Sequence, residues 1–387
     1  MSVVAVGGEG TVAAPAGGAR WPLRLGLALL DRGRIPDRLV RRAIRRLCAE
    51  RLASERAGGP AAIEARKQAL RERAGAGPVA VATREANAQH YELPAAFFVR
   101  VLGPCLKYSG SYWPDGTSTL AAAEEAMLAL YVERAELADG QAVLDLGCGW
   151  GSLTLWAASR FPSSRFLAIS NSASQHAFIE AEAARRGLTN VTVLTRDVND
   201  LVAGAEPPLG RRFDRIVSVE MLEHVRDHTR VLARLAAWMT PTARLFTHVF
   251  CHREVAYPFE VAARAEEDHT DWMARHFFTG GIMPSADLLP RCVASGGGTA
   301  PLVLDQQWLL DGTHYQRTAD AWLANLDRER DEVVAVFEQV YGRRAARRWL
   351  ARWRVFFMAC AELFGYADGG EWMVVHHRFR VPEKARG

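Results

Sequence analysis

Apolar positions along the 387-residue chain change rhythm twice. From Trp21 to Leu52 they recur at helical spacing, at Leu25, Leu29, Leu39, Ile44, Leu47 and Leu52, with arginines between them. Ile35-Pro36-Asp37 marks a break and a new helix start within this stretch. Gly58-Gly59-Pro60 and the glycines of 75–78 separate it from the rest of the chain. A helix is expected from His90 through Val101, and a long amphipathic one from Thr119 to Leu137, capped by Ser118 or Thr119. The pattern then shortens to apolar runs at 142–146, 165–169, 191–195, 215–219 and 243–250, each separated by a stretch that reads as helix or loop. Strands alternating with helices at this spacing imply an α/β fold, a doubly wound parallel sheet with helices on both faces. Beyond Cys251 the periodicity lapses into a Gly- and aromatic-rich stretch, so 250–300 is expected to be a lid or insertion. Two further strands, 302–309 and 373–381, flank helices at 319–326, 332–341 and 344–364. The expected organisation is a disordered start over 1–19, a helical arm over 20–77 and one large domain over 78–387.

Composition narrows the class. Apolar residues make up 49% and charged residues 24%, and mean hydropathy is near zero at −0.08, the balance of a soluble globular protein. Six cysteines are scattered without CxxC pairing, so neither secretion nor a disulfide framework is expected. No apolar run approaches the roughly 18 to 20 residues that span a bilayer, and a cytoplasmic location is expected. The net charge of +4 hides an asymmetry. Residues 20–75 carry an excess of nine basic over acidic groups, which leaves the rest of the chain near −5. A basic arm can meet lipid headgroups or present a solvated helix face. It offers no aromatic platform for stacking bases, so no nucleic-acid partner is expected.

The sharpest motif is Asp145-Leu146-Gly147-Cys148-Gly149-Trp150-Gly151, placed directly between a strand and a helix. Its glycines let main-chain N–H groups approach a ligand at a helix N-terminus. The spacing is GxGxG, and the next strand ends Ala168-Ile169-Ser170-Asn171-Ser172 without a carboxylate, which departs from the dinucleotide pattern. The acid stands before the loop, as Asp145, where it can meet a ligand ammonium. An amino-acid-bearing cofactor fits better than a pyrophosphate.

This loop, with Tyr108-Ser109-x-x-Tyr112-Trp113 before it and Asp197-Val198 and Glu220-Met221-Leu222-Glu223-His224 after it, resembles the S-adenosylmethionine-dependent methyltransferases of the cyclopropane-fatty-acid synthase superfamily. His248-Val249-Phe250-Cys251-His252-Arg253, Phe278-Thr279-Gly280-Gly281-Ile282-Met283-Pro284-Ser285 and Trp308-x5-His314-Tyr315 bring it nearest the coclaurine N-methyltransferase-like branch. The resemblance runs from about His90 to Val381 and implies a Rossmann-like class I methyltransferase sheet, with S-adenosylmethionine as cofactor and S-adenosylhomocysteine as product. It places Tyr108 and Ser109 at the methionine end of the cofactor and Asp145, Gly147 and Gly149 at its amino group. Ser170, Asn171 and Gln175 fall at the ribose, and Asp197 and Val198 at the adenine. Each has a structural alternative: Tyr108 and Tyr112 as core aromatics, Asn171 and Ser172 as a helix cap, Asp197 as a turn residue before Asn199-Asp200. The expected partners are a small-molecule acceptor and a second copy of the chain in a homodimer, with peripheral membrane contact assigned to the arm.

Glu220, Glu223 and His224 form the expected catalytic constellation, at i, i+3 and i+4, sharing one helical face or its mouth. A helix N-terminus that favours Glu, or a histidine that merely orients a carboxylate, is the structural alternative. His248 and His252 stand four apart, but no further Cys or His follows at ligand spacing, so no metal is expected. In the lipid-modifying relatives a bicarbonate ion serves as base, and its ligands match Glu223, His248, Tyr315 and the main chain near Phe250. This chain departs from their pattern twice: their Cys in the Tyr-Ser-Cys segment is Gly110 here, and their Gly three before the matched Glu is Glu220. The expected activity is N-methylation of a small amine, aromatic or alkaloid-like, with Trp308, Tyr315, Phe356, Phe357 and Trp372 as the supply of aromatic rings. The alternatives are a lipid-acting C-methyltransferase or cyclopropane synthase, and a cofactor-binding protein without turnover.

Overall fold

The computed structural model describes residues 20–75, 77–81, 93–203, 208–260, 272–294 and 302–382. The expectations for 1–19, for the His90 helix start and for parts of the 250–300 segment lie outside the described residues. The arm consists of α1 (Arg20–Asp31), α2 (Asp37–Arg56) and α3 (Gly59–Gly75). Next come α4 (Ala95–Val101) and α5 (Leu120–Ala135), the latter capped by Thr119, whose hydroxyl accepts from the Ala122 N–H at 3.2 Å.

The central sheet follows the alternation read from the sequence: β1 (Ala142–Leu146), α6 (Ser152–Arg160), β2 (Arg165–Ser170), α7 (Ala173–Arg185), β3 (Val191–Thr195), α8 (Val198–Ala203), β4 (Phe213–Val219), α9 (His228–Ala237) and β5 (Met239–His252). A small two-stranded sheet, β6 (Tyr257–Pro258) with β7 (Ile282–Met283), and the short helices α10 (Trp272–His276) and α11 (Leu288–Ala294) occupy the insertion. The chain closes with β8 (Val303–Leu310), α12 (Thr313–Arg328), α13 (Arg330–Tyr341), α14 (Arg343–Phe364) and β9 (Trp372–Arg380). Strand order is β3-β2-β1-β4-β5-β9-β8. The first five strands are parallel; β9 runs antiparallel to β5, and β8 antiparallel to β9. The sheet is thus mostly parallel and ends on an antiparallel pair. β1 is buried along its whole length, as the continuous apolar run 142–146 requires of a strand covered on both faces. One core packs α4, α5, α12, α14 and the arm, and a second packs α8, α9 and α11 against the sheet.

β5 begins four residues earlier than the apolar run suggests. It spends five residues where β4 spends two between the Phe213–Met239 and Arg215–Arg244 pairs, so Thr240-Pro241-Thr242 bulge out and Pro241 needs no ladder donor. The order places the switch point between β1 and β4, the crevice where ligands of open α/β sheets bind.

The arm is not autonomous. Val40, Cys48 and Leu52 of α2 are buried in the same core as α14. Its charges point inward as well: Arg41 pairs with Asp320 at 2.6 Å and Glu362 at 2.9 Å, Arg45 with Glu362 at 2.5 Å, and Arg56 with Glu371 at 2.7 Å. In return Arg352 and Arg354 of α14 bind Asp31 at 2.8 Å and Asp37 at 2.7 Å. Charges of both signs on the arm are therefore paired with opposite charges of the body. Among the described residues no helix is long and apolar enough to cross a membrane.

Candidate active site

Two loops frame the crevice, one after β1 and one after β4. In the first, Gly147, Gly149 and Gly151 all take positive φ, of 83°, 54° and 79°, a region that costs any residue with a Cβ. Their roles differ. A Cβ on Gly147 would stand 2.5 Å from the Met221 side chain, and one on Gly151 2.8 Å from Ile179, whereas one on Gly149 would meet only open space. Gly149 is thus the glycine that clears the crevice. Asp145 is 3% exposed and accepts from the Thr154 hydroxyl at 2.7 Å; burial pushes its carboxyl up to about 6. Tyr108, Ser109, Gly147, Gly149, Ser170, Asn171, Gln175 and Val198 line the same cleft, together with Lys107, Arg196, Glu220, Met221 and His224. At its β2 end the Ser170 hydroxyl donates to Gln175 Oε1 at 2.7 Å, and this leaves the buried Gln175 Nε2 with no partner. Asp197 does not line the cleft. Its Oδ1 accepts from the N–H of Asn199 at 2.8 Å, and the Asn199 amide grips both main-chain polar groups of Ala80 at 3.0 Å. It organises the turn before α8.

After β4 the expected single helical face for Glu220, Glu223 and His224 does not form. Glu220 adopts φ 46°, in the left-handed region, and only a single 3-10 turn over Leu222–His224 comes after it. The turn splits the three side chains. Glu220 and His224 line the cleft, while Glu223 is fully buried beneath it, where its Oε1 accepts from the Phe250 N–H at 2.7 Å. Burial, reinforced by the Glu220 charge, pushes the Glu223 carboxyl well above the usual carboxylate range. Burial also lowers His224 to about 4 against the pull of Glu220, so its imidazole is neutral.

Glu220 is the hub. Its Oε1 accepts from the Gly110 N–H at 2.8 Å and from His248 Nε2 at 3.0 Å, and its Oε2 accepts from the Tyr315 hydroxyl at 2.7 Å. Burial raises its pKa, while Lys107 and the Gly110 and Tyr315 donors oppose the rise. His248 and Tyr315 are two of the side chains matched to bicarbonate ligands, and here both are bonded to a carboxylate that belongs to the chain. Gly110 completes the fit: a Cβ there would come within 3.0 Å of the Tyr315 ring. The two departures from the lipid-modifying pattern, Glu220 and Gly110, are thus one structural unit. His252, on the same face of β5, is engaged elsewhere; its Nδ1 accepts from the N–H groups of Glu254 and Val255 at 2.9 Å.

Of the expected aromatic rings only Tyr315 touches this hub. Trp308 lies under Arg134 and Arg378 on the outer strands, Phe356 and Phe357 pack with Trp353, and Trp372 is buried against His252. The rings beside the site are instead Phe364, stacked on Tyr315 at 4.1 Å, Phe250 next to Phe364, and Phe278, which lies against both Phe250 and His224. Phe278 comes from the insertion, which therefore does reach the site.

Lys107, Glu124 and Tyr131 escaped the sequence reading. Lys107 is fully buried, donates to Ser109 Oγ at 2.6 Å and to the Gly110 carbonyl, and sits 5.2 Å over the Tyr131 ring; burial lowers it to about 8. Glu124 accepts from the N–H groups of Gly103 and Cys105 and is pushed by burial up to about 7. A lysine between apolar neighbours was the one local signal. Tyr131 reads as helix core, because its partner His248 is 117 residues away.

Residues 80–369 match the family described as mycolic acid cyclopropane synthetase. The chain belongs to this family. It is an S-adenosylmethionine-dependent methyltransferase. Within the family it is 36% identical to (S)-coclaurine N-methyltransferase of Thalictrum flavum subsp. glaucum over 296 residues, 76% of this chain and 77% of the relative. Cyclopropane-fatty-acyl-phospholipid synthase of Escherichia coli strain K12 is 28% identical over 293 residues, 75% of this chain and 67% of that one. A crystal structure of coclaurine N-methyltransferase bound to N-methylheliamine and S-adenosylhomocysteine superposes with a TM-score of 0.84 at 32% identity, covering 93% of this chain and 99% of that one. A cyclopropane synthase from Mycobacterium tuberculosis shares the fold, at a TM-score of 0.61 and 23% identity over 76% of this chain and 97% of that one. The cyclopropane synthetase family thus includes both chemistries, and this member resembles the amine-methylating one more closely.

Proposed function

We propose that this methyltransferase acts on the nitrogen of a small amine. The observation that carries the reading is the Glu220 carboxylate, which faces the cleft while bonded to His248, Tyr315 and the Gly110 N–H. A carboxylate has about four lone-pair positions; three are taken, and one remains for an ammonium donor. An aliphatic amine of pKa about 10 arrives protonated at neutral pH, so a site that attracts the cation and then removes its proton suits it. Glu220 supplies the negative charge, and neutral His224 beside it is in the accepting form. Tyr315 bonds Glu220 and Phe278 lies against His224, so aromatic rings, which attract a cation, adjoin both groups assigned to the acceptor.

The cofactor fits the residues of the crevice. Gly149 leaves its space clear, the orphaned Gln175 Nε2 offers a donor where ribose hydroxyls would lie, and Asp145 offers an acceptor for an amino group. Tyr108, Ser109, Gly147, Ser170, Asn171 and Val198 complete its walls. S-adenosylmethionine supplies a methyl group already activated on a sulfonium, so the chain's task is to orient the acceptor and take its proton.

The lipid alternative asks for an added anion seated on His248 and Tyr315, and Glu220 already bonds both. The deciding experiment incubates the protein with S-adenosylmethionine and panels of amines, phenols and unsaturated phospholipids, and reads a gain of one methyl group by mass spectrometry. Methylation of amines without bicarbonate is expected. Turnover confined to lipids and dependent on bicarbonate would overturn the reading.

A further inference from the structure

Behind the hub, His248 continues into His376 and Arg134, which do not line the cleft. Strands β5 and β9 pair His248 directly opposite His376, and His376 Nε2 lies 3.0 Å from His248 Nδ1. At the far side, Arg134 Nη1 at the end of α5 lies 2.7 Å from His376 Nδ1. Both histidines are fully buried.

Arginine has donors only and keeps its charge, so His376 Nδ1 must accept. A neutral imidazole carries one N–H, which places the proton of His376 on Nε2 and aims it at His248. His248 Nδ1 must then accept in turn, sharing its lone pair with the Tyr131 hydroxyl at 2.8 Å. The His248 proton is left on Nε2, 3.0 Å from Glu220 Oε1. Each step excludes the opposite tautomer because that tautomer would set two donors, or two lone pairs, face to face in a buried space. Burial together with the nearby Lys107 and Arg134 charges keeps both rings neutral.

We propose that Arg134 and His376 are positioning residues of this active site: through two imidazoles, Arg134 fixes the His248 tautomer that donates to Glu220, and so holds Glu220 as an oriented, ionised acceptor. Neither residue touches the cleft. Without the chain, His248 can carry its proton on Nδ1 and bond Tyr131, turning a lone pair toward the Glu220 carboxylate. Glu220 would then rotate away or take up a proton.

Nitrogen NMR of histidine-labelled protein reads the tautomers directly, and it needs no acceptor molecule. A failure of the amine reading would thus appear in the turnover assay and leave this test standing. His248 and His376 are expected to be protonated at Nε2 and bare at Nδ1. Arg134→Met keeps the packing over Trp308 but loses the donor. It should mix the tautomers and lower kcat on an amine by about 10- to 100-fold, the scale for groups that orient a reacting ligand, with S-adenosylhomocysteine affinity unchanged. Arg134→Lys, which restores a donor, should recover most of the loss. His376→Phe should match Arg134→Met. Protonation of His248 at Nδ1 in the unmodified protein, or wild-type kcat in folded Arg134→Met, would overturn the proposal.

Discussion

The N–H of Gly110 and the carboxylate of Glu220 meet at 2.8 Å across 110 residues of sequence, and the absence of a side chain on the first is what lets Tyr315 reach the second. A Cβ on Gly110 would press on the Tyr315 ring at 3.0 Å, while the Tyr315 hydroxyl donates to Glu220 at 2.7 Å. Glycine at 110 and glutamate at 220 therefore form one device, a built-in carboxylate bonded to both His248 and Tyr315.

Removing that carboxylate should be repairable from outside. Glu220→Gly leaves His248 Nε2 and the Tyr315 hydroxyl without an acceptor, a buried deficit worth about 1 to 3 kcal/mol per group. Amine methylation should fall on the order of 10² to 10⁴-fold, and added formate or bicarbonate should restore part of it. The unmodified protein should show no response to bicarbonate. Initial rates with the anion removed and restored check both statements.

Gly149 and Gly147 should fail differently. Gly149→Ala projects into the cleft with nothing else to strike, so beyond the cost of a left-handed φ of about 1 to 2 kcal/mol the protein should keep its fold and lose S-adenosylhomocysteine affinity in calorimetry. Gly147→Ala drives its new carbon into Met221 and should lower the melting temperature as well as the affinity.

The buried histidines give the fold an acid limit. His228 and His377 donate through Nε2 to the carbonyls of Leu222 at 2.9 Å and Ala286 at 3.1 Å, and burial lowers each to about 4. The unfolded chain binds their protons near pH 6.5 and the folded chain only near 4, so stability is full above 6.5 and falls as pH drops toward 4. Each contributes up to about 3 kcal/mol over that window. His228→Gln, which keeps a donor without titrating, should flatten the slope of melting temperature against pH between 6.5 and 4.

Deleting residues 20–77 should destabilise the whole molecule. It would strip Arg41 and Arg45 from the buried Glu362, release Arg352 and Arg354, and uncover α14. A chain starting at Pro78 should melt roughly 5 °C lower or more, the equivalent of about 3 kcal/mol or above at this size. Wild-type stability in that truncation would show the contacts to be idle.

Parallel strands alternating with helices, the glycine loop after β1 and the family resemblance were all legible in the residues, because each rests on short-range pattern: apolar runs of strand length, and glycines spaced for a turn at a helix start. The cluster of Glu220, His248 and Tyr315 was legible as candidate positions only, because the contacts that join them are long-range. What each candidate does was not legible. Glu223 reads like Glu220 three residues away, yet the left-handed turn at Glu220 sends one carboxylate into the cleft and the other beneath it, where burial pushes its pKa up. The arm reads as separate because helical periodicity is local, whereas the carboxylates that hold it lie up to 321 residues away. The aromatic walls were misassigned for the same reason: which rings meet depends on how the insertion and α14 pack. Tautomers and proton positions depend wholly on such meetings. Arg134, His376, His248 and Glu220 come from three strands or strand ends and one helix, and only the register of β5 on β9 sets them in line.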